Sequence, residues 1–156
     1  RSPILCLLAP GMGFGPIMVL GTVIALGASI DSTALLASLV ALLMVSELLL
    51  INQIPDAEAD RAIGRRHLVI TLGPEKAAHL VAGLLLASYG VIVAGVISGH
   101  LDMTGLIALA PLPAALWISL RLPRVLATPD QLNRVLGANV AVLLSTLALL
   151  VTGLSL

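Results

Sequence analysis

The sequence predicts an all-α fold, a transmembrane helical bundle. Composition, the length of the apolar stretches and their periodicity carry that prediction. Hydrophobic residues make up 59% of the chain and charged residues 10%, with a mean hydropathy of +1.13. A water-soluble domain carries about a quarter charged residues, because its surface must be hydrated. This chain has too few to wet a surface, so lipid must cover most of it.

At about 20 apolar residues per span, a chain of this length with short loops holds roughly five spans. Five apolar stretches stand out: Ile4–Ser29, Thr33–Ile51, Ala77–Ser98, Thr104–Leu120 and Val135–Leu154. Each suits a tilted helix at about 1.5 Å rise per residue, and the fourth is the shortest. Their interiors are apolar on every face, as for helices bathed in lipid or packed in a bundle. A transmembrane β-barrel would instead show alternating segments of about 10 residues, and there are none. In the first and fourth stretches Pro10, Pro16, Pro111 and Pro113 remove helix donors, which predicts kinks or local unwinding. Gly11–Gly15 and Gly95–Gly99 have the G-x-x-x-G spacing of closely packed membrane helices. Phe14, Tyr89 and Trp117 are the only aromatic residues, too few to mark the membrane interfaces.

The connections set the topology. The first, around Asp31, and the third, around His100 and Asp102, contain no Lys or Arg. The second carries Arg61, Arg65, Arg66 and Lys76, the fourth carries Arg121, Arg124 and Arg134, and Arg1 precedes the first span. With five alternating spans, all the basic residues fall on one side, which the positive-inside rule makes cytoplasmic. The expectation is a multi-pass protein of the cell inner membrane, with its N-terminal end inside and its C-terminus outside. The formal net charge of zero implies no nucleic-acid partner. Cys6, the single cysteine, cannot form an intrachain disulfide and reads as a small buried hydrophobe.

Half of the charged residues fall between Asp56 and Lys76. Asn52, Asp56 and Asp60 recur at i, i+4 and i+8, which stacks three oxygen-bearing side chains along one helix face. Two carboxylates one turn apart repel unless a cation sits between them. Hard oxygen ligands suit Mg²⁺, which takes one or two carboxylates and completes its shell with water and substrate phosphate. Pro55 either kinks a continuous helix here or opens a new one. Downstream, Arg61, Arg65 and Arg66 supply forked donors for phosphate oxygens, and Gly64 and Gly73 mark turns. Spacing alone leaves two readings open, a magnesium–diphosphate site and an ordinary charged cytoplasmic loop.

The stretch Asn52-Gln-Ile-Pro-Asp-Ala-Glu-Ala-Asp-Arg-Ala-Ile-Gly-Arg-Arg-His-Leu, with Leu72-Gly73 after it, resembles the second aspartate-rich motif of the UbiA superfamily of intramembrane prenyltransferases. The earlier Gly13-Phe-Gly-Pro-Ile-Met-Val-Leu-Gly-Thr22 resembles the helix preceding that motif, above all in the branch that prenylates 1,4-dihydroxy-2-naphthoate. The resemblance implies a fold of nine transmembrane helices with two aspartate-rich motifs facing across a cavity. Residues 1–156 would then be the C-terminal part of a single domain, helices five to nine, with the N-terminal part missing. It implies Asp56 and Asp60 as magnesium ligands, Asn52 on the same face, and Arg65 and Arg66 as diphosphate contacts. The implied reaction transfers a polyprenyl group from an allylic prenyl diphosphate donor to an aromatic quinone-precursor acceptor. Pro55 stands where the naphthoate branch often has Arg, and His67 where Thr is usual.

The chain opens on Arg1 without an initiator Met and without a signal-peptide pattern, so its start is expected to be a cut through a longer protein. With one metal motif instead of two, the fragment alone is expected to be inactive. Glu47, inside the second span, points away from the Asn52 face on a straight helix and reads as a structural hydrogen-bonding group. Asn139 reads as an interhelical tie, and His79 as a helix-end or interhelical partner. His67, His79 and His100 share no metal-ligand spacing. No P-loop, Gly-rich dinucleotide loop or H-E-x-x-H is present. The competing functions are a different Mg²⁺-dependent phospho-alcohol transferase of the membrane, whose longer acidic signature is not matched, and a non-catalytic transport or scaffold bundle.

Overall fold

The computed structural model describes residues 2–156, and Arg1, part of the topology argument, lies outside them. Among the described residues there are helices and no strands. Five helices are long and apolar enough to cross a membrane: α1 (Pro3–Ala25), α2 (Ser32–Ala62), α4 (Pro74–Ile97), α5 (Met103–Val125) and α6 (Pro129–Ser155). A short helix, α3 (Leu68–Leu72), lies between α2 and α4. The predicted spans are all present, and α2 runs past its apolar stretch to carry the whole Asn52–Asp60 segment.

Proline acts differently in each helix. In α1, Pro10 and Pro16 flank and enter a stretch of π-helix, Gly13–Leu20. The widened turn accommodates a ring that has no N–H to donate. In α5 the chain begins as 3₁₀-helix over Met103–Leu109 and turns at Pro111 before continuing as α-helix from Leu112. Both irregularities were expected from the sequence. Pro55, by contrast, sits inside α2 without ending it. Ile51, Ile54 and Ala57 bury one face of the helix on either side of that proline, so packing holds the segment helical where propensity alone would interrupt it.

The helices α2, α4, α5 and α6 form a ring, each packed on the next, with α2 closing against α6. Their shared core includes Val40, Met44, Leu50, Val81, Leu85, Ile118, Leu122 and Val135. Helix α1 lies outside this ring and packs along α2. A Cβ on Gly15 would stand 2.5 Å from the Ser38 carbonyl oxygen and 2.8 Å from the Leu42 nitrogen. The Gly11–Gly15 pair therefore lets two backbones meet, as its spacing predicted. The second pair divides. Gly95 is packed, its Cβ position 2.7 Å from the Leu101 side chain, whereas Gly99 faces open space at φ +73. Gly99 ends α4 in the left-handed conformation, a turn role rather than a packing one.

Helix ends and connections are tied down. The Asp31 carboxylate accepts the Ala34 N–H at 2.8 Å and caps α2. The Thr33 hydroxyl donates to the His100 carbonyl at 3.0 Å, joining the start of α2 to the third connection at one end of the bundle. All described basic residues (Arg61, Arg65, Arg66, Lys76, Arg121, Arg124 and Arg134) belong to the opposite end. Within the membrane-spanning core, the Asn139 amide donates to Glu47 Oε2 at 3.0 Å and joins α6 to α2. Tyr89 and Thr146 share a hydrogen bond of 2.8 Å between α4 and α6. Glu47 and Asn139 are both fully buried, in the structural role read from the sequence. His79 bonds the Glu75 carbonyl of its own helix at 2.8 Å.

Candidate active site

The last turns of α2 form the wall of a cavity of about 670 Å³ at the basic end of the bundle. Asn52, Asp56 and Asp60 all line it, so the i, i+4, i+8 spacing becomes one face, as helical geometry requires. The Asn52 amide nitrogen donates to the Leu48 carbonyl at 2.8 Å, which leaves the side-chain oxygen as an acceptor. Asn52 and Asp56 are exposed, and Asp60 is buried at the helix end.

The chain after α2 folds back over that helix end. Gly64 adopts φ +77, a left-handed conformation that a side chain would disfavour. The Arg65 backbone N–H then bonds the Asp60 carbonyl oxygen at 2.9 Å. This reversal brings Arg65 and Arg66 onto the cavity that the acids line. Arg65 Nη1 lies 3.0 Å from Asp60 Oδ1, and its side chain is 66% exposed, so one arginine spans the carboxylate and open solvent. His67 also returns to the cavity, with Nε2 at 3.1 Å from Asp60 Oδ2.

Arg61 does not join them. It lines a separate cavity of about 390 Å³ with Pro55, Glu58, Pro129 and Asn133. One residue beyond Asp60 on a helix is a rotation of about 100°, which carries its side chain off the acid face.

Among the described residues no group of three or more His, Cys, Asp or Glu side chains could by itself enclose a metal ion. Mg²⁺ does not require such a group, since it is bound through one or two carboxylates with water and phosphate completing its shell. Two carboxylates on adjacent turns, an amide oxygen beside them and two arginines on the same cavity fit such an ion with a diphosphate. The cavity is not polar throughout: Leu49 and Cys6, toward the membrane side, line it too. Cys6 is half-buried on this wall rather than enclosed in the core.

Two participants escaped the sequence reading. His67 was set aside for lack of metal-ligand spacing, and its link to Asp60 depends on the Gly64 turn rather than on a helical interval. Cys6 and Asp60 lie in different helices, and only the packing of α1 on α2 places them on one cavity. The profile of the UbiA prenyltransferase family matches residues 1–143. No curated protein and no solved structure matches the chain. The family match covers α1 to α5 and the first half of α6, including the complete cavity wall, and the chain belongs to the UbiA prenyltransferase family.

Proposed function

We propose that this chain is the C-terminal part of a Mg²⁺-dependent prenyltransferase whose donor is an allylic prenyl diphosphate and whose acceptor is an aromatic quinone precursor. Its affinity is to the naphthoate-prenylating branch, and its catalytic cavity opens on the cytoplasmic side of the cell inner membrane. One observation carries the proposal: Asn52, Asp56 and Asp60 share a cavity with Arg65 and Arg66. That juxtaposition supports a diphosphate site over an ordinary charged loop, because the acid face and two arginines line one cavity.

Asp56 and Asp60 would hold the magnesium ion, and Asn52 would border it. An ion held there would supply charge neutralisation to the departing diphosphate. Arg65 and Arg66, on the same cavity, would supply donors to the diphosphate oxygens as charge develops on them. Leu49 and Cys6 provide an apolar exit toward the bilayer for the polyprenyl chain and keep water from the allylic carbon. The overall exchange forms a carbon–carbon bond to an electron-rich ring carbon, breaks the allylic C–O bond, and releases diphosphate and the ring proton. The clustering of basic residues at this end of the bundle supports its cytoplasmic placement.

The test is diphosphate release by the full-length protein with Asp56→Ala or Asp60→Ala. Each substitution is expected to lower Mg²⁺-dependent turnover by more than about 100-fold, the scale of losing a charge-stabilising group in an active site. Turnover within a few-fold of the parent would remove both carboxylates from the reaction.

A further inference from the structure

Asp60 is held more firmly than its partner. Arg65 takes Oδ1 at 3.0 Å and His67 takes Oδ2 at 3.1 Å. Among the described residues, no donor is bonded to the Asp56 carboxylate, which is exposed. His67 is nearly enclosed, at 5% exposure. Its Nδ1 is buried and has no hydrogen-bond partner among the described residues, so its ring makes one polar contact there, with Asp60. A buried ring nitrogen without a partner is a penalty. An apolar side chain would fill the same place without it. Packing therefore gives no reason for histidine here, and the bond to Asp60 does. An ionised carboxylate only accepts, so Nε2 carries the hydrogen of that bond.

We infer that His67 is a positioning residue for Asp60, fixing the plane of its carboxylate so that the divalent cation meets one preset ligand and one adjustable ligand, Asp56. This rests on the reading of Asp56 and Asp60 as the cation's ligands. A carboxylate offers about four lone-pair directions. Arg65 and His67 occupy one on each oxygen, and the remaining pair stays available to a cation. The local fold serves the arrangement: the Gly64 turn and the Arg65 N–H bond to the Asp60 carbonyl return the chain after three residues. The N-terminal residue of α3 then follows directly on His67, whose carbonyl accepts the Thr71 hydroxyl at 3.0 Å. His67 is thus anchored through its backbone to α3 and through its ring to α2.

The test reads cation affinity directly. Mn²⁺ is titrated into the full-length protein in detergent and free Mn²⁺ is followed by electron paramagnetic resonance, with no prenyl substrate present. Loss of a group that orients a metal ligand weakens binding about 10- to 100-fold. His67→Ala is expected to show that loss, and His67→Gln, which returns an N–H near the Nε2 position, to recover most of it. Wild-type affinity in His67→Ala, with affinity lost in Asp60→Asn, overturns the inference and leaves the ligand assignment standing. Equal weakening in His67→Ala and His67→Gln overturns it as well, because the hydrogen bond is then not what matters. Unchanged affinity in both Asp56→Ala and Asp60→Asn, or no Mn²⁺ binding by the parent, overturns the ligand assignment itself.

Discussion

Replacing Asn139 with Leu should destabilise the bundle more than replacing Asn139 and Glu47 together. The two side chains are fully buried, and the Asn139 amide donates to Glu47 Oε2 at 3.0 Å. Among the described residues Glu47 Oε1 and Asn139 Oδ1 have no partner, so there this bond is the only one the Glu47 carboxyl makes. A hydrogen bond between membrane helices contributes about 0.6 kcal/mol on average and about 1.7 at most. Removing the amide also leaves a buried carboxyl with nothing to bond, which costs about 1–3 kcal/mol. The two figures overlap, and the single substitution is expected to cost about 2–3 kcal/mol. Leu is larger than Asn, so no cavity is left, and any overpacking strain at position 139 is common to the single and double variants. In the double variant Glu47→Leu/Asn139→Leu no polar group is stranded, and apolar replacement of a buried pair is often close to neutral. The assay is reversible unfolding of the full-length protein in mixed micelles against rising sodium dodecyl sulfate, run as a double-mutant cycle. If the single and double variants unfold at the same detergent fraction, the bond does not tie α2 to α6 and the reasoning fails.

Three further outcomes follow from the same geometry. Gly15→Ala pushes a methyl group onto the Ser38 carbonyl and should cost about 1–3 kcal/mol in that unfolding assay. Gly13→Ala, which meets nothing within 4 Å, should cost nothing, and equal losses would deny the close approach of α1 and α2. Arg65→Ala removes a charged donor from the cavity and should raise the KM for prenyl diphosphate about 10-fold or more, the scale of a charged hydrogen bond. Arg61→Ala, on the other cavity, should leave KM within a factor of about two, and the reverse order would reassign the diphosphate contacts. Cys6, the only cysteine, lines the cavity, so saturating prenyl diphosphate with Mg²⁺ should slow its modification by a small methanethiosulfonate. Unchanged labelling rates would place the donor elsewhere.

Much of the fold was legible because lipid imposes simple rules. A chain with so few charges and no alternating segments crosses the membrane as helices, since backbone groups left unpaired in hydrocarbon are too costly. Stretch lengths then give the number of spans, and the positions of Pro10, Pro16 and Pro111 give the irregular ones. The boundaries were less legible at α2, where hydropathy falls after Ile51 although the helix continues to Ala62. Polarity ended the apolar stretch, while the burial of Ile54 and Ala57 kept the helix going.

By itself, then, the sequence determined the class, the spans, the clustering of basic residues and the single face of Asn52, Asp56 and Asp60. Those are properties of local composition and of a fixed helical repeat. Only the tertiary structure decided what converges on that face. Arg65 and His67 reach Asp60 through one left-handed glycine, and Cys6 arrives from α1. Contacts of this kind depend on a turn and on helix packing, which no interval along the chain encodes.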